Sequence, residues 1–193
     1  MTIKKDLILA GVGGQGILSI AFVIDNAVLE KGWNFKQSEV HGMAQRGGAV
    51  QSHLRYSDGE VASDLIPNST ADVLLAVEPL ESLRYTNYIA PDGIAVISST
   101  PFENISNYPD MDEILKQIKN IPNHVLIDSE KLAKEAGNTR SQNMVMLGAA
   151  SKWLGIEEEI LKKYIKVAFE RKGDSVVQLN HRAFELGKEA AAE

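Results

Sequence analysis

The chain of 193 residues has no cysteine, which excludes a disulfide framework, thiolate catalysis, a zinc–thiolate site and any cysteine-ligated iron–sulfur cluster. It also lacks a basic excess: 20 Lys and Arg stand against 26 Asp and Glu, a formal net charge of -6, which argues against a general nucleic-acid binder. Long apolar runs are missing too. Val73–Val77 is typical of those present, far short of the roughly 20 residues that a membrane helix needs. Met1 to Lys5 leads straight into a strand-like segment with no leader pattern, so a cytoplasmic protein without membrane contact is expected. The four histidines show no His-x-x-x-His pair, and no Gly-x-Ser-x-Gly elbow or Gly-Lys-Ser/Thr phosphate loop occurs, so no metal site is expected.

What is present is an alternation of strand and helix signals. Leu7-Ile8-Leu9-Ala10 is a buried strand by its length and by the glycines that end it, and Ile17, Ile20, Ala21, Ile24 and Val28 then recur at helical spacing until Gly32. Trp33 to Val40 reads as a second strand. Val50 to Tyr56 alternates as a third, and Ser57-Asp58-Gly59 predicts a hairpin turn into Val61. Val73–Val77 and Ile94–Ser98 are runs of the kind buried on both faces of a sheet, with a helix over Leu80–Tyr88 and a turn at Pro91-Asp92-Gly93. Asp110 with Glu113 and Thr139 with Gln142 predict capping boxes, and a final helix is expected from about Asn180, fraying from Gly187. Residues 1–193 read as a single α/β domain, the sheet mostly parallel with an antiparallel hairpin.

Two loops carry candidate chemistry. In Gly11-Val12-Gly13-Gly14-Gln15-Gly16, a strand is followed by G-x-G-x-x-G and a helix. Such glycines let the backbone approach a phosphate while the helix N-terminus offers free N–H groups. A dinucleotide site would add an acidic residue about 20 positions on, and Glu39 lies somewhat late for that place. A turn that only packs strand on helix would use the same glycines. The second loop, Ser38 to Val50, sets His41, Gln45 and Arg46 among Gly42, Gly47 and Gly48, and should lie beside the first turn. Arg46 could clamp a carboxylate or phosphate, the Gly47-Gly48 amides could approach the same anion, and His41 could move a proton near neutral pH. A glycine-rich surface loop accounts for any one of these residues alone. His53 is expected on the solvent face of its strand, Arg55 offers a second anion contact, and His124 and His181 read as structural.

Together, GVGGQG, SEVHGMAQRGGAV, NMVMLGAA at Asn143–Ala150 and the closing KGDSVVQLNHRAFELG resemble the gamma-type subunit of the 2-oxoacid:ferredoxin oxidoreductases. The second loop is most similar to the beta subunit of the indolepyruvate-using members. The resemblance covers nearly the whole chain, in order. It implies a three-layer α/β/α fold like domain III of pyruvate:ferredoxin oxidoreductase. It also implies a complex that converts an aryl 2-oxoacid and coenzyme A into acyl-CoA, carbon dioxide and reduced ferredoxin. The family uses thiamine diphosphate, magnesium and iron–sulfur clusters, and the thiol-free chain cannot ligate the clusters. Gly173-Asp174-Ser175 with Asn180 is no substitute for a thiamine–magnesium motif. The expectation is therefore a catalytic-accessory subunit, inactive alone, whose large partner holds those cofactors. Gly11, Gly13, Gly14, Gln15, Gly16, Gly47 and Gly48 would meet coenzyme A. His41, Gln45 and Arg46 would orient it or the substrate carboxylate, with Asn143 a further contact or, more simply, a helix cap. The isolated chain could self-associate through the face its partner covers. A free-standing NAD(P)- or flavin-binding oxidoreductase and a non-catalytic assembly module remain as alternatives.

Overall fold

A computed structural model describes residues 3–42, 47–103 and 105–192. Its sheet is built from β1 (Lys4–Val12), β2 (Asn34–His41), β3 (Ala49–Ser57), β4 (Ala71–Ala76), β5 (Ile89–Ser98) and β6 (His124–Ile127). The helices are α1 (Ile17–Glu30), α2 (Pro79–Leu83), α3 (Met111–Ile118), α4 (Ser129–Ala136), α5 (Gln142–Leu154), α6 (Glu158–Phe169) and α7 (Asp174–Ala190). The strand order is β2-β3-β1-β4-β5-β6. From β1 to β6 the neighbours are parallel, whereas β3 is antiparallel to both β1 and β2.

Successive side chains of a strand alternate between faces, and here both faces are covered. Leu7, Leu9, Val73, Leu75 and Val96 meet helices α1 and α4–α7, while Ile8, Ala10, Leu74, Ala76 and Ile97 meet α2 and α3. That is the three-layer α/β/α arrangement, and it explains why β1 and β4 read as unbroken apolar runs. On the thicker layer, α5 and α7 cross with their backbones in contact. A Cβ on Gly148 would stand 1.9 Å from the Phe184 carbonyl oxygen, and one on Gly187 would stand 1.9 Å from that of Val145.

Several local expectations change. Val61 belongs to no strand: the antiparallel partners of β3 are β2, reached through the glycine-rich second loop, and β1. Residues 63–66 instead cover the outer face of β3, so His53 is buried rather than solvent-facing, and its Nδ1 accepts from Ile66 N–H at 3.0 Å. Arg55 is unavailable to an anion, because it forms a bidentate pair with Asp6 at 2.8 and 3.0 Å and donates to the carbonyls of Ser63 and Leu65. The expected turn at Pro91–Gly93 is an irregularity inside β5, across which the β4–β5 register shifts. Thr139 opens a 3-10 turn capped by Asn138, not α5, while Asp110 caps α3 as expected. Helix α7 starts earlier than Asn180 and stays helical past Gly187, whose missing side chain admits α5.

Candidate functional site

Crossovers in an open parallel sheet leave a crevice where they part to opposite faces, beyond the carboxyl ends of the strands. Here α1 leaves β1 on one face and α2 leaves β4 on the other, so the crevice lies between β1 and β4. The glycine turn stands at that place. Gly14 (φ 105°) and Gly16 (φ 82°) hold left-handed backbone that a side chain would strain, and among the described residues a Cβ at Gly14 would meet nothing within 4 Å. Gly16 is the N-cap of α1 and offers no side-chain cap; Ser19 N–H returns to the Gly16 carbonyl at 3.0 Å, and among the described residues the Ile17 and Leu18 N–H groups meet no acceptor. Open amides at the positive end of a helix suit a phosphate oxygen.

The Gln15 side chain is held by backbone groups. Its Oε1 accepts from Val12 N–H at 2.8 Å and its Nε2 donates to the Val77 carbonyl at 3.3 Å, bridging β1 and β4 just past their ladder. Asn143, buried at the start of α5, donates to the Gly16 carbonyl at 3.3 Å and accepts from Met144 N–H at 3.0 Å. It stands inside α5, whose N-cap is Ser141, so it is not the cap that the sequence offered as one reading; its side chain ties the start of the helix to the glycine turn. A Cβ on Gly16 would fall 2.5 Å from its Nδ2, so the two residues fix each other.

The second loop does lie against the first. Gly13 N–H donates to the Gly48 carbonyl at 2.8 Å, and Gly47 N–H donates to the Gly13 carbonyl at 3.2 Å. His41 ends β2 with its side chain half exposed and its Nε2 against Glu39 Oε1. The other Glu39 oxygen is buried with no hydrogen-bond partner among the described residues. Together with Gly13, Gly14, Gly16, Leu18 and Val50, His41 lines an open cavity of about 240 Å3. Gln45 and Arg46, the other two candidates of this loop, lie outside the described residues. Glu39 itself is poorly placed for a ribose: β3 separates β2 from β1, so it stands two strand spacings, roughly 10 Å, from the turn.

One residue at the crevice was missed by the sequence reading. Glu78, 1% exposed, follows β4 and caps α2 by accepting from Glu81 N–H at 2.7 Å. It also accepts from Phe102 N–H at 3.3 Å and from the Tyr108 hydroxyl, pinning the segment after β5 to the end of β4. Burial, then this hydrogen bond, raises the Tyr108 phenol well above its ordinary value. The Glu78-Pro79 step after a buried strand was the available signal, since an acid before a proline is a common helix opening. Among the described residues no three His, Asp or Glu side chains converge as metal ligands, and no helix is long and apolar enough to cross a membrane. His124 and His181 each bond a backbone carbonyl, at 2.8 Å in both cases.

Comparison with known proteins adds what geometry alone cannot. The model of the family described as pyruvate ferredoxin/flavodoxin oxidoreductase matches residues 6–190. An indolepyruvate oxidoreductase subunit IorB of Thermococcus kodakarensis is 37% identical over 200 residues, covering 98% of this chain and 97% of that protein. A 2-oxoglutarate:ferredoxin oxidoreductase from Magnetococcus marinus, solved with 2-oxoglutarate, coenzyme A and succinyl-CoA bound, superposes with a TM-score of 0.77 at 28% identity. The match takes in 98% of this chain but 31% of that longer one. The gamma subunit of a keto/oxoacid ferredoxin oxidoreductase from Geobacter sulfurreducens shares the fold, with a TM-score of 0.71 at 24% identity over 98% of this chain and 97% of its own. From its first strand to its last helix, the chain belongs to the pyruvate ferredoxin/flavodoxin oxidoreductase family, among the relatives of its indolepyruvate oxidoreductase subunits.

Proposed function

We propose that the chain is the accessory subunit, a single catalytic-accessory domain, of an indolepyruvate:ferredoxin oxidoreductase. The complex would convert an aryl 2-oxoacid and coenzyme A into acyl-CoA and carbon dioxide and pass the electrons to ferredoxin. Thiamine diphosphate, when bound with magnesium in the large partner, supplies the carbanion chemistry, and the partner's clusters carry the electrons. The observation that carries this reading is the likeness to the indolepyruvate oxidoreductase subunit IorB, 37% identical over 98% of this chain and 97% of that protein.

In this reading the α1 N-terminus and the open Gly14 backbone receive a phosphate-bearing part of coenzyme A, a ligand named for the Magnetococcus relative. Gly13 and the Gly47-Gly48 pair hold the second loop against that turn. His41 orients the bound group by hydrogen bonding, and Gln45 and Arg46 contribute from the same loop. Gln15 and Asn143 position the turn rather than touch the ligand. The displacement of Glu39 by β3 counts against a free-standing dinucleotide enzyme. The chain works in the cytoplasm, with no nucleic acid or membrane as partner.

The test is anaerobic reduction of ferredoxin or a viologen dye with indolepyruvate and coenzyme A, by the large partner, by this chain, and by the two mixed. Activity confined to the mixture is expected. Activity of this chain alone, or none from a verified complex with any 2-oxoacid, would overturn the reading. Full turnover in a complex carrying Arg46→Ala would remove that residue's role.

A further inference from the structure

Helix α1 is apolar on two sides. Ile17, Ile20, Ala21, Ile24 and Val28 are buried against the sheet and neighbouring helices. Leu18, Phe22, Asp25 and Leu29 fall on a second stripe, at i, i+4, i+7 and i+11. Its three apolar members are left out in solvent, 56%, 41% and 57% exposed. Val167 of α6, 41% exposed, meets Leu18 and Phe22 across a hollow of about 500 Å3 edged by Glu170 and Arg171. Single exposed apolar side chains need no explanation, but a contiguous set on one helix face marks a surface that something covers.

A second observation lies in the same stripe. Asp25 Oδ1 is shut away from water and has no hydrogen-bond partner among the described residues. Burial pushes its carboxyl up to about 7. Below that value the carboxyl is neutral, so it sets no charge in the middle of the apolar stripe.

A third observation says where the covering body comes from. Leu18 lines both this hollow and the glycine-turn cavity, so whatever covers the stripe also stands beside that cavity. In the Magnetococcus enzyme the same fold accounts for 31% of a longer polypeptide.

We propose that the Leu18–Phe22–Leu29 stripe of α1, with Val167 of α6, is the docking surface for the large cofactor-holding subunit, which lays an apolar patch over these side chains. The inference rests on the function proposed above and adds the face through which the two subunits meet. Leu29 and Phe22 lie outside the glycine-turn lining, so they report on docking separately from ligand binding.

The experiment is titration of the isolated chain against the anaerobically purified large subunit by calorimetry, using wild type, Leu29→Lys, Phe22→Ala and, as a control at the opposite edge of the sheet, Asn120→Lys. Circular dichroism checks that each variant is folded. Leu29→Lys is expected to weaken binding at least tenfold and Asn120→Lys to leave it unchanged. Phe22→Ala is expected to weaken binding in the same direction while the isolated chain stays folded. Wild-type affinity in both stripe variants would overturn the proposal. So would self-association of the chain that Leu29→Lys abolishes while heterocomplex formation persists, since the occupant would then be a second copy. No binding by the wild-type chain would sink the functional reading and this inference together, whereas binding indifferent to the stripe sinks only the inference.

Discussion

Helices α5 and α1 lie on the same side of the sheet and are both rich in apolar residues, but they end in opposite circumstances. In α5 every residue from Asn143 to Ser151 is buried, and Gly148 brings its backbone against that of α7. In α1 one stripe is buried while Leu18, Phe22 and Leu29 stay exposed beside an unpaired Asp25 oxygen. The glycines divide in the same way. Gly148 and Gly187 are glycine because another backbone occupies the space of a side chain, and Gly14 is glycine although nothing among the described residues occupies it. Helix α5 finds its partners within the chain, and α1 with its turn is shaped for partners beyond it.

The sharpest way to break that comparison is to add one methyl group at each kind of glycine. At Gly148 the new Cβ would sit 1.9 Å from a carbonyl oxygen that belongs to a helix backbone and cannot swing aside. Gly148→Ala is therefore expected to force α5 and α7 apart, at a cost of about 4 kcal/mol or more, with Gly187→Ala close behind. Chemical denaturation checks this, and a loss under about 1 kcal/mol would show that the crossing is looser than the geometry says.

The pH dependence of stability should expose the unfinished side of α1. Asp25 has its carboxyl raised by burial from an ordinary 3.8 to about 7, so between those values the folded chain keeps a proton that the unfolded chain gives up. Its contribution to stability is full at about pH 4, declines as pH rises toward 7, and stays low above. Asp25→Asn should remove this slope, with the variant gaining on wild type by roughly 2–4 kcal/mol between about pH 4 and pH 7.5. Urea titrations across that range decide it, and parallel curves would mean that Asp25 is better solvated than its position implies.

Much of the α1 side was legible from sequence because strand, glycine turn and helix are local patterns. The run Leu7–Ala10, the spacing of Ile17, Ile20 and Ile24, and the stop at Gly32 all depend on neighbours in the chain. What could not be read there depended on distant segments. Leu54 and Tyr56 alternate with His53 and Arg55 as they would on an edge ribbon, and only residues 63–66 folding over the outer face bury His53. Gly187 sits before Lys188 and Glu189 and reads as the start of a loose tail, yet it faces the backbone of Val145. Glu78 looks like a surface acid until Phe102 and Tyr108 close over it. At the candidate site, the pairing of Gly13 with Gly47 and Gly48 followed from sheet logic, whereas the diversion of Gln15 to the Val12 and Val77 backbones did not.

A smaller effect should appear at Gly16, which combines both kinds of glycine. Its φ of 82° strains any side chain, and the Asn143 amide fills the space a Cβ would need. Gly16→Ala should cost about 2–3 kcal/mol. Part of that, about 1 kcal/mol, should be recovered when Asn143→Ala is already present, because the amide is then gone. Additive losses would mean that strain at φ is the whole effect.

The smallest stability change and the most selective functional one belong to Gly14→Ala. With nothing among the described residues within 4 Å of the new methyl group, the cost is that of a left-handed alanine, about 1 kcal/mol. The methyl group would project into the open space beside the α1 amides, where a phosphate oxygen has to come within about 3 Å of N–H groups. The assembled complex carrying Gly14→Ala should therefore keep its subunit affinity and lose affinity for coenzyme A by about tenfold, read as a raised KM for coenzyme A beside a nearly unchanged KM for the 2-oxoacid. Unchanged kinetics in a correctly assembled complex would show that the turn serves packing as Gly148 does, and the contrast between the two kinds of glycine would then concern folding alone.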